Sequence, residues 1–85
     1  MSFYVYLVEC SDDTYYCGYT NNLDSRINEH NSLKTGARYT RSRRPVKLVY
    51  SEKLNTKVES TKREYEIKKL RRKEKKLLIF NNRVS

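Results

Sequence analysis

Two short aromatic runs with four polar residues between them constrain the fold of this chain more than any other feature. Residues 3–10 and 15–19 are rich in aromatic and branched side chains, which favour β-strands. The intervening residues 11–14 are Ser, Asp, Asp and Thr, which favour turns. The pattern therefore predicts an antiparallel hairpin at the start of the chain.

The length of the turn decides whether Tyr6 and Tyr16 lie on the same face of this hairpin. With a three-residue loop over 11–13, Tyr6 lies opposite Gly18 and Tyr16 points the same way, whereas a two-residue loop reverses the arrangement. The three-residue loop places Asp13 in a left-handed conformation, which Asp tolerates better than most residues. Gly18 would then leave space for the Tyr6 ring or for substrate.

A helix after the hairpin is predicted to bring two further side chains to the tyrosines. It begins at Asn21 or Asn22, either of which is a suitable N-cap. Arg26 and His30 then lie one turn apart on one helix face. Taken singly, a solvated Arg and a helix-end His would be the simpler interpretation. Together with two phenols they suit an anionic substrate, because Arg binds phosphate oxygens in a fork while Tyr and His exchange protons.

A basic segment lies between residues 31 and 45. Its cations and its one tyrosine fit a clamp that holds phosphates and stacks a base, and they fit a solvated surface loop equally well. The candidate nucleic-acid-binding residues here are Arg38, Tyr39, Arg41, Arg43 and Arg44.

A third strand is predicted over residues 46–50, where polar and apolar positions alternate. Its apolar face comprises Val46, Leu48 and Tyr50. The predicted architecture is therefore of the α+β class, a small three-stranded antiparallel sheet flanked by helices. We expect a single domain over residues 1–80 and a flexible tail over 81–85.

Two helices are predicted after the third strand, over residues 55–70 and 71–80. The apolar stripe of the first comprises Val58, Thr61, Tyr65 and Lys68. Glu64 lies beside that stripe at the border with solvent. The stripe of the second comprises Leu77, Leu78 and Phe80. Seven cations and one anion lie between residues 68 and 76, so Lys68 begins either a solvated face or a second phosphate-binding strip.

The charge balance favours a polyanionic partner. Nineteen Lys and Arg against ten Asp and Glu give a formal net charge of +9, which favours nucleic acid over neutral or acidic partners. The alternative is that the excess of cations only keeps a small domain soluble, but solubility alone does not require so uneven a charge balance. There is no apolar stretch long enough to span a membrane and no signal-peptide pattern, so we expect a soluble, cytoplasmic protein. The two cysteines are too widely spaced for a zinc site, and we expect reduced thiols.

The order of these motifs resembles a known family over roughly residues 3–79. The matching segments are Tyr4-Val5-Tyr6, Tyr16-Cys17-Gly18, Asn22-Leu23, Arg26, His30, Tyr39-Thr40, the run over 44–50 and the run over 62–68. In this order they resemble a GIY-YIG nuclease domain, and in particular its small stand-alone YhbQ-like members.

The resemblance implies hydrolysis of phosphodiester bonds with one divalent metal ion, Mg²⁺ or a substitute such as Mn²⁺, held by Glu64. It implies that Tyr6 is the general base for attack by water, that Tyr16 hydrogen-bonds to the water or the phosphate, and that Arg26 stabilises the phosphoryl charge. His30 would organise this network. Because a free Tyr has a pKa of about 10, Tyr6 would need a cationic setting that favours the phenolate.

The predicted function is a metal-dependent endonuclease acting on nucleic acid, with DNA as the expected substrate and little intrinsic sequence specificity. A protein partner is then expected to supply specificity. The alternatives are a nucleic-acid-binding module that uses the same scaffold without cleavage, and a scaffold for protein partners.

Overall fold

The computed structural model describes residues 2–31 and 44–84, with side chains described as far as residue 81. It contains three strands, β1 (Phe3–Glu9), β2 (Tyr15–Thr20) and β3 (Lys47–Leu54). The helices of the described residues are α1 (Leu23–Asn31), α2 (Lys57–Lys68) and α3 (Arg72–Val84). The strands form one antiparallel sheet in the order β2-β1-β3, which confirms the predicted fold class.

The hairpin has the three-residue loop that a shared site requires. Tyr6 lies opposite Gly18 in the register of β1 and β2. Asp13 has a φ of 64°, the left-handed conformation predicted for the end of the loop. Because the register is set in this way, Tyr6 and Tyr16 project from the same face of the sheet.

The third strand contains an irregularity that the alternating pattern did not predict. Leu7 pairs with Tyr50 but its neighbour Val8 pairs with Leu48, so two positions on β3 match one on β1. Such a bulge reverses the faces of the side chains on either side of it. The prediction that Val46 and Tyr50 share a face is therefore wrong, and they belong to different core clusters.

Each face of the sheet carries its own hydrophobic core. Helices α2 and α3 contribute to one face, where the buried cluster comprises Val5, Leu7, Cys17, Tyr50, Ile67 and Ile79. Helix α1 packs on the other, where the buried cluster comprises Tyr6, Val8, Cys10 and Val46, with Tyr16, Leu23 and Ile27 packed against it. Because both faces are covered, an 85-residue chain holds two small cores, with Tyr6 buried in one and Tyr50 in the other.

Helix α2 faces the sheet with a different stripe from the predicted one. Thr56 and Glu59 form a capping box that starts it. Ser60 and Ile67, seven residues apart, are buried, whereas Val58 and Tyr65 are exposed. The sheet-facing stripe follows the one strong apolar anchor, Ile67, because the helix has few other apolar side chains.

Helix α3 is longer than predicted and is rotated relative to the expected stripe. It continues through Val84, into the segment over 81–85 for which a tail was predicted. No Gly or Pro interrupts the segment, so helical hydrogen bonding continues. Ile79 is the buried side chain, whereas Leu77 and Phe80 are exposed instead of packing on the domain. Within the described residues, the helices are too short and too polar to cross a membrane.

Candidate active site

Four of the predicted site residues meet on the α1 side of the sheet. The Tyr6 hydroxyl lies 2.8 Å from His30 Nε2, and Arg26 Nε donates a hydrogen bond to Tyr6 Oη at 3.3 Å. The Tyr16 and His30 ring centroids are 5.2 Å apart in an edge-on arrangement. We refer to Tyr6, Tyr16, Arg26 and His30 as the phenol cluster.

The hydrogen bonds of Tyr6 indicate where its phenolic proton points. Because Arg26 donates to Tyr6 Oη, the phenolic proton is best placed towards His30 Nε2, which then accepts. His30 is fully buried, and its pKa is lowered to about 4, first by that burial and then by the charges of Arg26 and Arg44. A neutral imidazole protonated on Nδ1 therefore receives the hydrogen bond from Tyr6.

The neutral His30 predicts a pH dependence of stability. Its folded pKa lies below the unfolded value of 6.5, so the unfolded chain binds more protons between these values and stability falls as pH decreases from about 6.5 to 4. The loss from this group should be about 3 kcal/mol at most. His30 is the only histidine, so urea unfolding of His30→Gln should lack the decline between pH 6.5 and 5. An unchanged slope in that variant would contradict the assignment.

The ionisation of Tyr6 differs from the sequence-based expectation. Burial raises the pKa of Tyr6 to about 12, and the hydrogen bond and charge of Arg26 lower it only in part. Tyr6 has no exposed surface, so it does not line an open groove. Without a bound cation or substrate, Tyr6 is therefore a neutral phenol rather than a phenolate.

Local sequence explains why α1 presents Arg26 and His30 to the sheet. Asn22 caps the helix, because its Oδ1 accepts a hydrogen bond from the Ser25 backbone N–H. This resolves the choice between Asn21 and Asn22. From that start, Arg26 and His30 both fall on the face that covers Tyr6.

Gly18 lets Tyr6 reach its position. A Cβ atom at this position would lie 2.5 Å from Tyr6 Oη and 2.8 Å from Cζ, which is closer than atoms pack. The glycine is required here for space, since its φ is not positive. The predicted role of Gly18 as room for the opposing ring is therefore confirmed.

Gly18→Ala should accordingly displace Tyr6 and destabilise the fold by about 1–3 kcal/mol, the usual cost of overpacking. Urea unfolding gives the loss. In Gly18→Ala combined with Tyr6→Phe the closest clashing atom is absent, so part of the stability should return. Equal losses in the single and double variants would show that the contact with the hydroxyl is not the cause.

The end of α1 is fastened to β3 by residues that the sequence did not single out for this purpose. Asn31 Oδ1 accepts from the Val46 N–H at 2.8 Å, and Asn31 Nδ2 donates to the Val46 carbonyl at 3.2 Å. Arg44 Nε donates to the His30 carbonyl at 2.8 Å. An Asn at a helix end is a common local signal, but only the folded chain shows that it holds His30 against the sheet.

Glu64 lies beside the edge strand β2, on α2 and not on the helix that carries Arg26 and His30. Its carbonyl is 3.9 Å from Cys17 Sγ, and Cys17 points to the sheet face opposite that of Tyr16. Its side chain is 19% exposed, and Oε1 lies 3.1 Å from Lys68 Nζ. That hydrogen bond raises the pKa of Lys68, and the nearby Tyr16 contributes in the same direction. Glu64 is therefore held in an ion pair beside strand β2.

The predicted nucleic-acid-binding residues have different outcomes. Arg38, Tyr39, Arg41 and Arg43 lie outside the described residues. Arg44 is engaged with the His30 carbonyl, so it contributes to holding α1. Lys68 is half exposed, and its ammonium is directed to Glu64.

Comparison with known proteins identifies the family of the chain. The model of the GIY-YIG catalytic domain matches residues 2–77. The chain belongs to the GIY-YIG family, whose domain is a nuclease domain that acts on nucleic acid. Within that family it is similar to proteins named UPF0213.

The similarity to these relatives spans nearly whole chains. A UPF0213 protein of Syntrophus aciditrophicus is 54% identical over 79 residues, covering 93% of this chain and 91% of the relative. UPF0213 protein YazA of Bacillus subtilis is 48% identical, covering 96% and 82%. The solution structure of protein EF2693 from E. faecalis is 40% identical with a TM-score of 0.67, covering 100% of this chain and 90% of that one.

Proposed function

We propose that this protein is a metal-dependent endonuclease that hydrolyses phosphodiester bonds in nucleic acid, with DNA as the substrate. The observation that carries the proposal is the hydrogen-bonded series from Arg26 through Tyr6 to His30. It joins a phosphate-binding cation to a proton-transfer pair within one buried cluster. We place this activity in the cytoplasm.

Arg26 is proposed to bind the scissile phosphate. Its side chain is 26% exposed, and Nη1 makes only a 3.6 Å contact with the partly exposed Glu29. Such exposed pairs contribute at most about 1 kcal/mol, so Arg26 can exchange Glu29 for a phosphate with little loss. The guanidinium then offsets charge that develops on the phosphoryl oxygens.

Tyr6 and His30 are proposed to accept the proton of the attacking water. A separate phenolate is unfavourable because the pKa of Tyr6 is about 12. A concerted transfer avoids it, since Tyr6 accepts the proton from water while passing its own to His30 Nε2. His30 is a weak base while its pKa is about 4, and it becomes a stronger one when phosphate neutralises the nearby charge of Arg26. When Arg26 moves towards phosphate, the acceptor site on Tyr6 Oη becomes available to that water. Tyr16, which is partly exposed beside His30, can hydrogen-bond to the phosphate or the water.

Glu64 is the residue proposed to hold a divalent metal ion. Its carboxylate is of the oxygen type that Mg²⁺ and Mn²⁺ prefer. Residues 2–31 and 44–81 contain no group of three or more acidic, His or Cys side chains that could hold a metal unaided. One carboxylate suits Mg²⁺ where water and substrate phosphate complete the coordination. The bound ion would supply charge stabilisation at the phosphate.

Low sequence specificity follows from the chemistry of the proposed contacts. Arg26 and Tyr16 would address phosphate oxygens, and phosphate contacts position a nucleic acid without reading its bases. We therefore propose that a protein partner or the structure of the substrate directs cleavage.

A binding module without cleavage is the second candidate. The buried, neutral state of Tyr6 and the occupation of Glu64 by Lys68 favour it. The two candidates differ in whether Mg²⁺ converts bound nucleic acid into product.

The experiment for the proposal is Arg26→Ala on a labelled DNA duplex. Because Arg26 would contact phosphate before and during the reaction, binding should weaken by about 10-fold and the single-turnover rate should fall by about 100-fold or more. Lys53→Ala, an exposed cation on β3, is the control and should change neither strongly. Unchanged cleavage by Arg26→Ala would remove Arg26 from the site, and a parent protein that binds DNA without cleaving it would favour the binding module.

A further inference from the structure

A groove lies on the sheet face opposite the phenol cluster. It has a volume of about 370 Å³, within the range of ligand-binding pockets. It is lined by Glu9, Tyr15, Lys47 and Val49 from the sheet and by Lys76, Ile79 and Phe80 from α3. We refer to it as the α3 groove. None of its residues belongs to the proposed catalytic site.

Two aromatic side chains give the α3 groove flat apolar surfaces. Phe80 is 61% exposed although it is among the largest apolar side chains of the protein. Tyr15 is partly exposed, and the Arg72 guanidinium lies 5.9 Å from its ring centroid. Exposed rings next to cations are the arrangement on which unpaired bases stack.

The polar lining of the α3 groove favours a nucleotide. Lys47 and Lys76 make no ion pair with any residue in the described part of the chain, so both ammonium groups can bind phosphate. Glu9 lies opposite Lys47 in the strand register and offsets part of its charge. The Glu9 carboxylate can also accept a hydrogen bond from a base amino group such as that of cytosine.

We propose that the α3 groove binds an unpaired segment of nucleic acid, with a base against Phe80 and Tyr15 and its phosphates on the two lysines. An intact duplex fits less well, because its bases are already stacked on each other. The inference rests on the proposed function for the class of ligand but needs no cleavage. Together with the phenol cluster it gives the protein two nucleic-acid contacts on opposite faces of one sheet, which would favour substrates with a single-stranded region.

The test is a nitrogen-15 NMR titration of the protein with a deoxycytidine hexamer, in EDTA so that no cleavage occurs. Amide signals of Tyr15, Lys47, Lys76 and Phe80 should shift. Phe80→Ala should weaken binding at these signals by at least about fivefold, as expected for loss of one stacked base. A self-complementary duplex should shift them less at equal nucleotide concentration.

Matched controls are available on the same helix. Leu77 is exposed and Lys73 is basic, yet neither lines the α3 groove. Leu77→Ala and Lys73→Gln should keep the parent affinity within about twofold. Lys76→Gln should lower both the affinity and its dependence on salt, as expected when a phosphate contact is lost. Since Phe80 is exposed, its truncation should leave the core intact, and the NMR spectrum of the free variant checks this.

The outcomes separate this inference from the proposed function. Shifts confined to the surroundings of Tyr16 and Arg26 would overturn the α3 groove and leave the nuclease proposal standing. Equal losses in the Leu77 and Lys76 variants would also overturn it, because binding would then follow the whole helix. If no signal shifts on either face, the groove proposal fails and the nuclease proposal loses its substrate. Shifts at the groove that vanish only in Phe80→Ala and Lys76→Gln support the groove proposal.

Discussion

Replacing Tyr6 with Phe is expected to lower the single-turnover rate of cleavage by about 100- to 10,000-fold, the usual contribution of a positioned proton-transfer group. Binding of nucleic acid without metal should change little, because Tyr6 is fully buried and would meet phosphate only through Arg26. The measurement is the rate of product formation from a labelled strand with protein in excess.

Stability must be followed in the same variant. Removing the hydroxyl takes away the hydrogen bonds that Tyr6 makes with His30 Nε2 and Arg26 Nε, and such a loss in a buried site typically costs about 1–3 kcal/mol. Tyr19→Phe is the control, since Tyr19 packs against the core on the opposite face of the sheet. A folded Tyr6→Phe protein that cleaves at the rate of the Tyr19 variant would exclude Tyr6 as the proton acceptor.

Replacing Glu64 with Gln is expected to reduce metal-dependent cleavage by at least about 1000-fold, since a catalytic metal contributes several kcal/mol. Metal-free binding of nucleic acid should stay equal or tighten slightly, because one negative charge near the phosphate is removed. Gel-shift measurements in EDTA give the binding, and Mn²⁺ binding in the presence of an uncleavable phosphorothioate strand gives the metal affinity.

Two neighbouring side chains serve as opposite controls for Glu64. Glu66 is on the same helix but is exposed and paired with Arg63, so Glu66→Gln should cleave like the parent. Lys68 Nζ lies 3.1 Å from Glu64 Oε1, so a metal ion bound by Glu64 would have to compete with it. Lys68→Gln should therefore bind Mn²⁺ more tightly than the parent. Equal Mn²⁺ affinity in the Glu64 and Glu66 variants would show that the metal site is elsewhere.

The hairpin was the most predictable part of the site, for a local physical reason. The turn residues and the need for Asp13 in a left-handed conformation determine the loop, the loop determines the register, and the register places Gly18 opposite Tyr6. Helix α1 was predictable for a similar local reason, because a cap at Asn21 or Asn22 limits its start and thereby the face of Arg26, and the structure selects Asn22.

The elements after β2 were less predictable because their packing depends on partners distant in sequence. The bulge in β3 shifts Tyr50 to the other core, and nothing local indicates where it falls. Helix α2 is so polar that one residue, Ile67, orients it, and the predicted stripe through Tyr65 is wrong. The apolar residues of this helix follow no strong helical period, so the sequence could not select one rotation of the helix against the sheet over another.

The electrostatic state of the site was the least predictable. The sequence indicates that Arg26 can approach Tyr6. Whether the charge of Arg26 lowers the pKa of Tyr6 or burial raises it depends on how completely α1 covers the phenol. In the folded chain burial dominates, and it raises the pKa of Tyr6 to about 12. The position of Glu64, and its pairing with Lys68, likewise follow from the packing of α2 on the edge of the sheet.

The measurement that tests the central claim most directly is nicking of supercoiled plasmid by the parent protein in Mg²⁺ and in EDTA. Tyr6→Phe, Arg26→Ala and Glu64→Gln are purified and assayed beside it. We expect nicking by the parent that requires Mg²⁺ and is lost in all three variants while each remains folded. Nicking at the same rate in the parent and the three variants would assign the activity to a contaminant, and a folded parent that binds the plasmid without nicking it would contradict the claim that this phenol cluster is catalytic.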